Sequence, residues 1–585
     1  MHSRTELNVQ ARPTSVALSF VRSPLFLLAF SLGVLALLLS ITIPQPIGPM
    51  FWDHYLYLDA ANRIRDGQVP SVDFFTPVGA LGYYLFTGLQ GIFPNGQPLL
   101  LASWCLLLVT GPAIALIVFD IQKRSTLLAY AILLPFLAFS VLPFNTGDFY
   151  PYPGSDGFGI YNRQVCQLLY VLAAAVVHVR DRGILVLVVA AAMAALFFLK
   201  ITGVVAGTVL CLMAFAASRI ALKSAVAAAL LFFAVLGMVE FSVGAVSAYI
   251  DDILALLAVN DGSLLPRLLQ AASLNAGLLI PAGLLTLVLF VTHLPPFARS
   301  LRQLGGQPSA SALGQVFDQP FFWLAAFVLA GILFESQNTG SQAFIFLLPL
   351  LLKIVADEVT GGAPRRRAIT VAILALAAAL PPATAVLQKS ARAWIGAVNN
   401  VPLESRNLKT MGAVNLRPIL ALRAERLREV YAAHRPTFDA FADADELPSF
   451  LLYSDFDFQA GWLKNVDDAI DAIRAYEAAN GVRFETILNI DFTNPFPWLM
   501  DRRAPHHVAI GADPFRAVPP PDENVRTAIR AVDVALVPTC PVTNVNRMLL
   551  SLYLPSLEPG HSRVQLTKCY DAFIRNDLKA AAIGS

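Results

Sequence analysis

The sequence holds 585 residues, 56% of them hydrophobic and only 14% charged, with a mean hydropathy of +0.61. Soluble domains run near 45–50% apolar and about 25% charged, so a freely soluble globular protein is excluded and a membrane protein is indicated. The net charge of +2 comes with no basic arm or patch for nucleic acid, and five cysteines without a CxxC pair favour neither a zinc site nor a redox motif.

Residues 1–22 form a leader carrying Arg4, Arg12 and Arg22, expected to stay in the cytoplasm. The apolar run 23–43 follows, and the chain then enters "PQPIGPMFWD" with no small-x-small cleavage site, so the run reads as an uncleaved anchor. Residues 44–96 are the first outer loop, with Asp53, Asp59, Asp66 and Asp73 spaced along its first half. The pattern predicts a short interfacial helix after Asp53, with Asp53 as N-cap and Gly67 just past its end. No charged residue or histidine occurs from Phe74 to Phe119, and 78–93 reads as a second interfacial or re-entrant helix.

Further apolar runs lie near 97–119, 126–143, 160–177, 184–199, 201–217, 225–239, 274–292, 320–334, 343–356 and 368–387. Together with the first they make about eleven candidate transmembrane helices. Alternate loops carry Lys123/Arg124, Arg180/Arg182, Arg219/Lys223, Arg299/Arg302 and Lys353/Arg365/Arg366/Arg367, which the positive-inside rule assigns to the cytoplasm. The N-terminus is then cytoplasmic and residues 388–585 lie outside, in the periplasm of a Gram-negative cell.

That last region reads as an α/β domain. Strand-like runs at 449–455, 484–492, 507–513, 533–538 and 564–576 alternate with helical stretches such as 465–480. Cys540 follows one such strand and Cys569 lies in another. If the strands are neighbours the two thiols can pair, a link whose loop-closure entropy is worth roughly 3–4 kcal/mol.

Polar groups collect on the outer side. The stretch 145–164 supplies Asp148, Asp156, Asn162 and Arg163; Lys200 interrupts two apolar runs; and 335–342 adds Glu335, Gln337 and Asn338. A charge inside a span costs about 2.5–3.5 kcal/mol on insertion scales, so cations and carboxylates at one leaflet suggest a cavity. Structural roles stand beside that: Asp53 as a cap, Lys200 snorkelling at a turn, Arg163 paired with Asp148 or Asp156.

The first outer loop resembles that of the polytopic GT-C glycosyltransferases, in the bacterial branch similar to protein O-mannosyltransferases and aminoarabinose transferases. The matching positions are Asp53, Tyr55 or Tyr57, Gly67, Pro70, Asp73, Phe74 and Pro77-Val78-Gly79; His54 stands where an acidic residue is common. The resemblance implies a GT-C-like membrane domain over 23–387 and a transfer of sugar from a polyprenyl-phosphate donor to an acceptor hydroxyl on a glycan, lipid or protein. It implies Asp53 as the base and Arg163 and Lys200 as donor-phosphate ligands. His54, Tyr57, Asp73, Asn162, Gln337 and Asn338 are candidate substrate contacts. No cofactor is implied, although Asp53, Asp73, Asp148 and Asp156 leave a divalent metal open. A lipid-linked sugar flippase and a non-catalytic envelope assembly protein are the alternatives.

Overall fold

A computed structural model describes residues 23–147, 154–259, 264–338, 340–447 and 455–580. Every apolar run named above contributes to a helix. Among the described residues six helices are long and apolar enough to cross a membrane: 98–122, Ile160–His178, Arg182–Leu199, Leu222–Val243, Ala276–Gly306 and 365–399. A bent pair, Ala310–Phe317 with Pro320–Glu335, makes a seventh candidate, and Pro24–Leu39, Thr126–Val141 and Ile201–Ala216 are shorter apolar helices. The protein is thus a mostly helical, multi-pass membrane protein. Two further helices, Ala245–Val259 and Leu264–Leu274, occupy a stretch that the apolar-run count passes over.

The helix Ile160–His178 organises the membrane part. All but one of its residues are buried, and at 1.5 Å per residue its two ends stand about 27 Å apart. Asn145 and Phe158 gather at its first turn, where the Arg163 guanidinium binds them. At its last turn the Arg124 guanidinium donates to the His178 carbonyl at 2.8 Å. The basic loop carrying Arg124 is therefore at the opposite end from the first-loop contacts.

The first loop does not lie on a lipid surface. Its helix, Tyr55–Arg65, is buried on nearly every side, from Tyr55 through Ala61 and again at Arg63. The expected interfacial helix is instead wedged between the membrane helices and the C-terminal region. The Asn62 side chain donates to the Arg502 carbonyl, Arg63 to the Pro505 carbonyl at 2.6 Å, and Gln68 to the Ala504 carbonyl. Arg63 also pairs with Asp59 at 2.9 Å, both side chains almost fully enclosed. Gly67 sits past the helix end at φ +88°, as its position in the sequence suggests. The second predicted helix forms over Leu81–Ile92.

Two small sheets tie the C-terminal region together. In the first, β1 (Gln45–Pro46) pairs parallel to β3 (Val414–Leu416), which pairs antiparallel to β2 (Val401–Pro402). This sheet crosses the expected boundary near residue 388, so the first loop and the C-terminal region share one side of the membrane helices. The second has the order β4-β5-β7-β6, with β4 (Ile487–Asn489), β5 (Val534–Pro538), β6 (His561–Gln565) and β7 (Tyr570–Arg575). Only β4 and β5 are parallel.

The run 564–576, taken as one strand, belongs to a hairpin whose turn holds Cys569. Because Pro538 pairs with Tyr570, Cys540 and Cys569 are brought to 4.9 Å between Cα atoms and form a disulfide. The run 507–513 is not a strand. Its Ile510 amide donates to the Phe75 carbonyl, and the His507 amide to the Asp73 carbonyl, so its backbone is spent on the first loop. Most of the strand expected over 449–455 lies outside the described residues.

Candidate functional site

Asp53 sits in a 3-10 turn, Phe51–His54, ahead of the loop helix. Neighbours on the C-terminal helix Phe456–Asn480 fix that turn. The Phe51 amide donates to Gln459 Oε1 at 2.6 Å, and Gln459 Nε2 donates back to the Gly48 carbonyl. Trp52 meets Trp462 edge-on and Tyr55 stacks on the same indole, at 6.3 and 5.8 Å between centroids.

Asp53 does not cap its helix, since no side-chain cap bond forms there. Its Oδ2 instead accepts the Gly159 amide at 3.1 Å. That approach depends on glycine. Gly159 has φ +68°, and a Cβ there would lie 2.4 Å from the Gly340 carbonyl oxygen. A Cβ on Gly157 would meet the Phe51 backbone at 2.5 Å. The segment 154–159 therefore carries a signal beyond its aspartate: glycines that let a loop press on the turn bearing Asp53. Burial pushes the Asp53 carboxyl up from 3.8 to about 6, an effect moderated by the Gly159 amide and by the fields of Arg163 and Lys200.

Arg163 and Lys200 thus lie within electrostatic reach of Asp53, while none of the three forms an ion pair with another described residue. The Arg163 guanidinium turns onto its own loop, donating to Asn145 Oδ1 at 3.0 Å, the Phe158 carbonyl at 2.8 Å and the Asp156 carbonyl at 3.1 Å. Lys200 marks the break between Arg182–Leu199 and Ile201–Ala216. Its Nζ donates to Asn162 Oδ1 at 2.8 Å and stands 4.6 Å from the Tyr161 ring centroid. Lys200 remains partly accessible, and its ammonium has three donors. Arg163 is 2% exposed.

The other expected residues divide into two groups. Tyr57 packs on Tyr83 and Phe86 beneath the Asp53 turn, and His54 packs edge-on against Phe51 at 4.6 Å. Asn338 reaches Thr202 Oγ1 at 3.4 Å, two residues from Lys200, and Ser341 donates to Glu335 at 2.7 Å. Gln337 faces outward to Arg267. Asp73 stands apart: its carboxylate accepts the Val69 amide at 2.6 Å and closes a turn that docks on His507. Asp148 lies outside the described residues.

Tyr161, Asp513 and Arg516 are additional candidates that sequence reasoning missed. Asp513 and Arg516 stand close enough to Tyr161 to act on it electrostatically, so the C-terminal region borders the Lys200 neighbourhood. Tyr161 had one available signal, its place beside Asn162 and Arg163; Arg516 had none. Among the described residues no group of three His, Cys, Asp or Glu side chains gathers as a metal site.

No family model matches the sequence, and no curated protein matches it. Among solved structures the chain is similar to ArnT from Cupriavidus metallidurans in the apo state, at 13% identity and a TM-score of 0.38, over 95% of this chain and 98% of that one. The same protein bound to undecaprenyl phosphate is similar at 13% identity and 0.36, over 96% and 98%. The archaeal oligosaccharyltransferase AglB from Archaeoglobus fulgidus, in complex with an inhibitory peptide and a dolichol-phosphate, is similar at 12% and 0.31, over 92% and 72%. These neighbours are GT-C glycosyltransferases. At such TM-scores no residue correspondence follows, and what the site can do rests on its own side chains.

Proposed function

We propose that the protein is a membrane glycosyltransferase that moves a sugar from a polyprenyl-phosphate donor to an acceptor hydroxyl. One observation carries this: a buried carboxylate, Asp53, raised to about 6 and held by a neutral amide, with Lys200 and Arg163 in electrostatic reach but not ion-paired to it. A carboxyl in that range is mostly ionised at neutral pH yet basic enough to take a proton.

In the reaction the acceptor oxygen attacks the anomeric carbon and the bond from that carbon to the donor phosphate breaks. Asp53 takes the hydroxyl proton. Lys200 stabilises the departing polyprenyl phosphate, the charge that grows in the transition state. Arg163 adds its field but spends three N–H groups on Asn145, Asp156 and Phe158, so its main part is to hold Gly159 against Asp53. Tyr161 and Asn162 fix the ammonium, and Asn338, bound to Thr202, borders the same rim.

The reaction faces the side shared by residues 44–96 and 388–585. We assign that side to the periplasm, with 1–22 in the cytoplasm and 23–387 as the membrane unit of a bacterial inner-membrane protein. The decisive experiment is transfer of radiolabelled sugar from polyprenyl-phosphate donors by protein reconstituted in vesicles. Transfer by the wild type and none by Asp53→Asn supports the proposal; equal transfer by both overturns it. Thiol labelling at introduced cysteines tests the orientation: reaction at residues 388–585 only after permeabilisation overturns it.

A further inference from the structure

One cavity on the side of the first loop is lined by neither Asp53 nor Lys200. It measures about 310 Å³ and opens where the last long membrane helix, Arg365–Gly396, meets the β1-β3-β2 sheet and the helices Pro418–Ala433 and Phe456–Asn480. Its polar lining is balanced: Arg417 and Arg423 against Asp455 and Asp457, with the carboxamides of Asn400 and Asn415 between. Arg423 and Asp457 already pair with each other. Asn400 donates to Asn415 Oδ1 at 2.9 Å, while its own Oδ1 is buried with no hydrogen-bond partner.

This chemistry selects against both ions. Two guanidiniums beside two carboxylates give an anion no net attraction, and a cation none either. What suits them is a neutral ligand rich in hydroxyls, which can donate to carboxylate and carboxamide oxygens and accept from guanidinium N–H groups. Apolar surface from Leu416, Leu420 and Phe456 faces the same space and matches the C–H faces of a sugar ring. A volume near the lower end of ligand pockets, ~300–1,000 Å³, fits a short saccharide rather than a long chain.

The surroundings add the second half of the ligand. Ile419 lines the cavity and is 65% exposed, and Leu422, Ile395 and Val398 nearby on the chain are exposed as well. Gly396 and Ala393, also in the lining, end a helix that has just left the apolar span. Exposed aliphatic side chains at a helix exit are the setting of a membrane surface, not of bulk water.

We infer that this cavity binds the saccharide headgroup of a membrane-anchored glycolipid. As the acceptor of the transfer it deepens the proposed function and rests on it; as a binding site it stands independently. Ile47 lines the cavity, and the turn that carries Asp53 is bound through the Phe51 amide to Gln459, two residues past Asp457 in the lining.

The test measures binding without turnover. Wild type in phosphatidylglycerol nanodiscs is titrated with glucosyl-diacylglycerol, with diacylglycerol and with soluble methyl glucoside, and bound lipid is counted by native mass spectrometry. The glycolipid is expected to bind at least ~10-fold more tightly than diacylglycerol. Gly396 is in the lining, on a helix where an added Cβ meets nothing within 4 Å, so Gly396→Leu adds a bulky side chain at the cavity without a clash at Cβ; it should abolish the preference. Asp53→Asn should keep it, which separates failure of this site from failure of the transfer chemistry. No preference in the wild type, an unchanged preference in Gly396→Leu, or equally tight methyl glucoside binding would overturn the assignment.

Discussion

The cluster at one end of the membrane helices and the neighbourhood of Asp53 at the other handle charge in opposite ways. At the end bearing Arg124 and His178, charges neutralise one another: Glu358 pairs with Arg367 at 2.5 Å, Lys353 with Asp357 at 2.7 Å, Arg124 with Asp120 at 2.7 Å and Arg219 with Asp318 at 3.5 Å. At the first-loop end, Asp53, Lys200 and Arg163 are held by an amide, a carboxamide and backbone carbonyls. Paired charges serve the fold and ask nothing of a ligand. Charges anchored by neutral dipoles keep their field, and in the proposed reaction that field acts on the sugar phosphate.

The strongest way to break this contrast is Asp53→Asn. The substitution keeps the size and one acceptor oxygen but removes the base, so transfer should fall by ~10²-fold or more. Its effect on folding should run the other way. A folded-state carboxyl raised to about 6 gives stability that is complete below 3.8 and lost as pH rises through about 6. At pH 8 the wild type therefore carries a penalty on the order of 3 kcal/mol that the amide escapes. Melting temperatures should show the inactive variant at least as stable as the wild type. A large loss of stability would recast Asp53 as a structural residue.

Next in size is Lys200→Gln, which can still donate to Asn162 but has no charge. Loss of one charge-assisted contact to the departing phosphate predicts a roughly 10- to 100-fold fall in kcat/KM for the lipid donor. Steady-state kinetics over donor concentration would show it. Arg163→Lys provides the matching control, since it keeps a cation and loses the fork that binds three oxygens. It should cost thermal stability more than donor affinity, and the reverse result would return Arg163 to the phosphate.

How much of this was legible in the sequence depends on where each residue's partner lies. Apolar runs were read correctly as helices because the bilayer imposes a local rule, about 20 apolar residues per crossing. Lys200 stood out for the same reason, as a charge where that rule allows none. Asp53 as a helix cap was a local inference, and it failed because its partner, Gly159, is 106 residues away. The expected strand 507–513 failed likewise: its pattern is a strand's, but its hydrogen bonds go to Asp73 and Phe75. The helices Ala245–Val259 and Leu264–Leu274 were passed over because neither is a long apolar span. Charge type and position singled out Asp53, Arg163 and Lys200, which lie within electrostatic reach of one another, yet nothing local in "ADPFRAV" pointed Arg516 toward Tyr161.

The pH profile sharpens the contrast further. If Asp53 must be ionised to accept the proton, kcat/KM should fall about tenfold per pH unit below about 6 and level off above it. An acid limb near 4 would show a base that water can still reach, and no limb at all would remove the base from the mechanism.

The smallest effect on transfer belongs at the other end. Glu358 is 6% exposed and bound to Arg367, with His293 Nε2 3.6 Å from the same carboxylate oxygen. Glu358→Gln leaves a guanidinium with a neutral partner, in a place where Arg367 keeps some access to water. The cost should be ~1–3 kcal/mol, below the 3–5 typical of fully buried pairs broken on one side. Donor KM and kcat should not change, because this cluster sits by the last turn of Ile160–His178 and the proposed chemistry by its first. Thermal unfolding and transfer kinetics on the same preparation would check both halves. A fall in transfer without a fall in stability would mean that the paired end communicates with the anchored one along that helix, and the separation of roles drawn from their charges would fail.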